Sequence, residues 1–114
     1  MARVNGVKDT VLARRAVRES RRVRVRKVRK ISAGFGPEKE LVGGNYPGEL
    51  VLLVDGMSAY MQGKVLTHEL IHNRRGRIGR SEKLTLRAEE VAFERMTKRQ
   101  LLELYKSIPP DTES

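Results

Sequence analysis

Thr67-His68-Glu69-Leu70-Ile71-His72 is the stretch on which the reading of this chain turns. It has the form H-E-x-x-H, and His68 and His72 are the only two histidines in the sequence. Residues four apart share one side of a helix, about 40° apart around its axis, so both imidazoles can address one ion. A glutamate next to the first histidine is then placed to act as a general base.

The flanking residues agree with a helix. Its start falls near Met57 or Ser58, with Asp55 or Ser58 as cap, and its end near Asn73 or Arg74. Met61 and Val65 share the histidine side, while Ala59, Leu66 and Leu70 lie opposite, so the helix is central to its domain. Gly63 costs about 1 kcal/mol relative to alanine in a helix interior and marks a close packing contact.

Upstream, Glu49 to Val54 is almost continuously apolar and reads as a strand covered on both faces, ended by Asp55-Gly56. Such a strand at a sheet edge would accept an extended peptide by strand addition. Residues 32–48, with five glycines among them, read as turns around a short strand near Glu40 to Val42. Downstream, 74–83 reads as a polar loop, and a long helix runs from Leu84 to about Ile108, where Pro109-Pro110 stops it.

Residues 1–30 differ in charge from everything after them. They hold 12 of the 24 Lys/Arg and 2 of the 14 Asp/Glu, a balance of +10, which equals the net charge of the whole chain, so residues 31–114 are neutral. After a loose terminus ending at the breaker Gly6, Val7, Val11, Leu12, Ala16 and Val17 recur at helical spacing. Arg14, Arg15, Arg18, Arg21 and Arg22 occupy the other side of that helix. From Arg22 the period changes to two, through Arg24 and Arg26, which predicts a half-buried strand. These seven arginines are candidate contacts for nucleic acid or an acidic protein surface. There is no Trp, so a base-stacking platform for single strands is poorly supported.

The expectation is therefore an α+β fold of 114 residues, with 1–30 as a basic helix-and-strand segment packed on or leading into a domain at 31–114. There is no cysteine, no secretory signal and no apolar run near the roughly 20 residues of a membrane span. This fits a reducing, cytoplasmic setting with no membrane partner.

A catalytic zinc takes three protein ligands and keeps one position open. With both histidines used and no cysteine, the third must be an acid, and the downstream helix offers Glu89 and Glu90. On a wheel of that helix Leu86, Phe93, Met96 and Leu104 cluster on one side; Glu89 lies about 35° from their centre and Glu90 about 65°, so Glu89 is the expected ligand and Glu90 the reserve. Tyr46, Tyr60, Tyr105 and the arginines of 74–80 are candidate oxyanion donors.

Gly43-Gly44-Asn45-Tyr46-Pro47-Gly48-Glu49-Leu50-Val51-Leu52, Val65 to His72, and Glu89-Glu90-Val91-Ala92-Phe93 together resemble a minimal gluzincin of the ImmA/IrrE type. The resemblance covers about residues 40–96. It implies a zincin-like fold and a zinc-dependent metalloendopeptidase acting on protein or peptide. His68, His72 and Glu89 would be its metal ligands and Glu69 its general base. The metzincin extension would need Gly and His where Arg75 and Ile78 stand. A different kind of function is also open: a nucleic-acid-binding protein that carries its arginines on a zincin-like scaffold.

Overall fold

The N-terminus is built by a dipeptide. Asn5 and Gly6 have φ of 49° and 82°, the paired positive values of a tight hairpin turn. They join β1 (Arg3–Val4) to β2 (Val7–Lys8) in antiparallel register. A loose terminus was expected; Gly6 instead closes a hairpin, and Val4 is buried with Leu12, Ala88 and Ala92. The computed structural model describes residues 3–32, 40–46, 49–73 and 78–111.

Helix α1 (Asp9–Arg22) follows directly. It buries Leu12, Ala13, Ala16, Val17 and Ser20 and leaves Arg14, Arg18, Arg21 and Arg22 exposed, as the spacing predicts, while Arg15, expected with them, is half-buried. Asp9 is also buried. Its carboxylate accepts from the Thr10 amide at 2.8 Å and pairs with Arg95 Nε at 3.1 Å. Acid in the first turn of one helix meets base in the last turn of another, a pairing that both helix dipoles favour.

Val23 is extended and ends α1, and the period-two stretch becomes β3 (Arg24–Val28). β3 pairs in parallel with β7 (Leu50–Val54), and β6 (Gly43–Tyr46) pairs antiparallel on the other side of β7, giving the order β3-β7-β6. β7 is thus central, not an edge. Val51 and Leu53 are fully buried on one face, while Leu50, Leu52 and Val54 on the other are only half-buried, so the expectation of two covered faces holds for one. Lys27, in register with Leu53, runs its stem along the covered face and brings Nζ to 2.6 Å from Asp111. That bond holds the Asp111 carboxyl below its ordinary value.

The short strand expected near Glu40 is β5 (Glu40–Leu41), paired with β4 (Ile31–Ser32). β6 was expected to be turn because of its glycines. It is a strand whose glycine answers a packing demand: a Cβ on Gly43 would lie 2.5 Å from Val65 Cγ1 and 3.0 Å from Glu69 Cγ. Glycine in a strand commonly marks such an approach by another element.

The H-E-x-x-H helix is α2 (Ala59–Asn73). Ser58 Oγ accepts from the Met61 amide at 3.3 Å, and Leu66 and Leu70 are buried. Gly63 is a close contact, as read from the sequence. A Cβ there would meet the rings of Tyr105 at 2.6 Å and Phe93 at 2.9 Å.

The long helix expected from Leu84 to Ile108 is two helices, α3 (Glu82–Arg95) and α4 (Lys98–Lys106). Met96 is extended, and Thr97 and Gln100 form a reciprocal capping box. That box satisfies amide donors a new helix start would otherwise leave unpaired, and so it favours a break. The break lets α3 and α4 pack separately.

Ala13, Ala16 and Val23 share one core with Val51, Leu53, Leu66, Leu70, Phe93 and Leu104. Full burial of each leucine contributes about 1.5–3 kcal/mol. Residues 3–28 therefore supply a hairpin, a helix and a strand to the same body as α2, α3 and α4. The architecture is α+β, with four helices and small sheets among the described residues. Among the described residues no helix is long and apolar enough to cross a membrane.

Candidate metal centre

Helical spacing places His68 and His72 one turn apart on α2, with ring centroids 4.7 Å apart. They face the start of α3. Loop residues 78–81 are tied down there: Thr85 Oγ1 donates to the Ile78 carbonyl at 3.0 Å, and Ser81 caps α3 by accepting from the Leu84 amide. Glu82, the first residue of α3, stands where the positive end of a helix dipole favours an acid.

Its carboxylate bridges the two imidazoles. Oε1 lies 3.1 Å from His68 Nε2 and Oε2 lies 2.7 Å from His72 Nε2. The remaining ring nitrogens are held from behind. His72 Nδ1 donates to the Gly79 carbonyl at 2.8 Å, and His68 Nδ1 donates to Glu89 Oε2 at 2.9 Å. Both Nε2 atoms are thereby turned toward one point. His68, His72 and Glu82 each offer a ligand atom, all within 4.8 Å of one another, and this His/His/Glu group can hold a metal ion.

Glu89 was the expected third ligand. The structure brings it to the site, buried as the wheel implied, but on His68 Nδ1 rather than beside the two Nε2 atoms. A carboxylate in that position orients a ligating imidazole and raises its basicity. Glu90 is exposed and is not among the lining residues of the cleft. Burial by itself would lower the His68 pKa. The Glu89 hydrogen bond, together with the charges of Glu69, Glu82 and Glu89, outweighs burial and holds it above the ordinary value.

Glu69 is nearly buried and faces the same space. Asn45 Nδ2 on β6 donates to Glu69 Oε2 at 3.0 Å, and Asn73 at the end of α2 donates to the Tyr46 carbonyl at 3.0 Å. β6 is thus stitched to α2 along the wall of the site. The result is an open cleft of about 670 Å³, with Val42, Met61 and Leu86 as its apolar lining beside His68, His72, Glu69, Glu82 and Glu89.

Those expected oxyanion donors that fall among the described residues do not line the cleft. Tyr46, Tyr60 and Tyr105 are not among its lining residues; Tyr60 stacks edge-on against Phe93. Arg80 is exposed and also outside the lining, and Arg74, Arg75 and Arg77 lie outside the described residues. Arg14, Arg15, Arg18, Arg21, Arg22, Arg24 and Arg26 are likewise absent from the lining. A smaller cavity of about 170 Å³ lies between α1 and α2, walled by Leu12, Leu70, Ile71 and Ile78 together with Arg15 and Glu19.

The sequence reading missed Glu82, the Gly79 carbonyl and Asn45. Only Glu82 carried a signal: Ser81 followed by an acid is a helix start, which moves α3 two residues earlier. No family model, curated protein or solved structure matches the chain.

Proposed function

We propose that the chain is a zinc-dependent metallopeptidase with His68, His72 and Glu82 as ligands, Glu89 orienting His68, and Glu69 as general base. One observation carries the reading: two Nε2 atoms and an acidic side chain converge beside a sheltered glutamate at the floor of an open cleft. The donors suit zinc, since two neutral imidazoles and one carboxylate match catalytic His₂Glu sets, with a position left open. Bound there, zinc would acidify a water molecule and polarise a peptide carbonyl.

The chain's own residues supply the rest. Glu69, held by Asn45, accepts the proton of the attacking water and returns it to the departing amine. Gly79 and Glu89 hold the two Nδ1 protons, so each imidazole presents a lone pair at Nε2. Among the described residues β6 is the edge strand beside the cleft in the β3-β7-β6 sheet. Its outer edge offers main-chain groups to an extended peptide, which moves the expected strand addition from β7 to β6.

The test is a pair of variants in the full chain. His68→Ala should abolish stoichiometric zinc binding. Glu69→Gln should retain zinc and lose cleavage of unfolded protein substrates. Retained cleavage in Glu69→Gln would remove the general-base assignment, and no cleavage by the zinc-loaded parent would remove the peptidase reading.

A further inference from the structure

We infer that the exposed arginine ridge of α1 is a binding surface for the sugar–phosphate backbone of duplex nucleic acid. The ridge is Arg14, Arg18 and Arg22, each four residues after the last and each exposed. At 1.5 Å per residue they stand about 6 Å apart along the helix. Arg21 is engaged with Glu103 and is not counted. Among the described residues no carboxylate lies within ion-pair reach of Arg14, Arg18 or Arg22. The chain then passes through Val23 into Arg24 and Arg26, also exposed and also without such a partner.

Like charges four apart oppose helix formation, so the ridge does not serve the fold. α1 is already fixed by its other face, through Leu12, Ala13, Ala16 and Val17. The guanidinium fork matches phosphate oxygens in a bidentate way. Nine of the twelve basic residues in 1–30 are arginine.

The surroundings of the ridge choose among polyanions. A protein partner would need an apolar anchor at the centre of the contact, and the exposed residues of α1 are Thr10 and arginines alone. The same lack of apolar side chains disfavours insertion into a bilayer. No aromatic residue lies in α1 or β3, so single-strand stacking is unsupported. What remains is contact with backbone charge, without sequence readout. Among the described residues the metal cleft has no lysine or arginine in its lining, so the two surfaces differ in chemistry and can be lost separately.

The experiment uses the full chain and a labelled mixed-sequence DNA duplex of about 30 base pairs, read by fluorescence anisotropy between 50 and 200 mM NaCl. Engagement of the three ridge arginines contributes about −2.7 to the slope of log affinity on log salt. Arg14→Gln/Arg18→Gln/Arg22→Gln should make that slope shallower by about 2.7. The charge-matched control Lys98→Gln/Arg99→Gln/Lys106→Gln removes exposed cations of α4 and should keep both slope and affinity close to the parent. Circular dichroism verifies that both triples are folded. His68→Ala should bind DNA as the parent does, so failure here is separable from failure of the metallopeptidase reading. Equal losses in the two triples would overturn the proposal. So would an unchanged α1 triple, or competition by polyglutamate as effective per charge as DNA.

Discussion

Glu82 and Glu89 lie on the same helix and both touch His68, yet the geometry gives them unequal parts. Glu82 faces both Nε2 atoms, and Glu89 faces Nδ1 of one ring. Glutamine in each place separates these parts. Glu82→Gln removes an anionic ligand. Structural zinc sites with four ligands bind with roughly 10–16 kcal/mol, or about 3–4 kcal/mol for each ligand, so zinc affinity should fall about 10²–10³-fold. Glu89→Gln keeps an amide oxygen that accepts from His68 Nδ1. Even outright loss of such an orienting partner costs about 10–100-fold, so the glutamine should cost at most about tenfold. Glu82 is exposed at the first position of α3, and its loss should lower stability by less than about 1 kcal/mol. Competition for zinc against a chromophoric chelator measures both affinities, and urea unfolding of metal-free protein measures the stability. An affinity loss larger in Glu89→Gln than in Glu82→Gln would refute the assignment and restore Glu89 as third ligand.

Three further outcomes follow from the packing. Gly63→Ala gains helix propensity but drives a methyl into the Tyr105 and Phe93 rings; overpacking of this kind costs about 1–3 kcal/mol, so denaturant unfolding should show a net loss. Thr97→Ala removes the cap of α4 and half of its capping box, which should lower stability by about 1 kcal/mol in the same assay. The third concerns pH. His68 in the metal-free fold titrates above its ordinary value, so its stabilisation is complete below the unfolded pKa near 6.5 and is lost as pH rises through the higher folded value. The melting temperature of chelator-treated protein should therefore fall across that interval relative to His68→Gln, and a parallel pair of profiles would contradict the argument.

What the sequence disclosed depended on whether a residue's role was local. The H-E-x-x-H spacing defines one side of α2 without reference to the rest of the chain, and the period change at Arg22 marks the passage from α1 to β3. The two sides of α1 were readable for the same reason. Glu82 was not, because it was assigned to a polar loop. Its role depends on Ser81 starting α3 and on that start lying across from α2. The helical wheel used Leu104 and Met96 to find the inner face of one long helix. Leu104 belongs to α4, Met96 lies in the break, and Leu86 is exposed at the cleft. The wheel still turned Glu89 inward and Glu90 outward, since those two differ by a full 100° step. Thr97-Lys98-Arg99-Gln100 and Asn5-Gly6 were legible signals of a cap and a hairpin. Only the fold explains Gly43, whose missing side chain admits Val65 and Glu69.

The central claim is that α2 and the start of α3 together hold a catalytic zinc. Metal analysis of the full chain and its Glu69→Gln variant, combined with an unfolded-protein cleavage assay on both, tests it most directly. About one zinc per chain in each, with cleavage by the parent alone, is the predicted result. Protein purified without chelator that carries no metal and takes up none from micromolar zinc would contradict it.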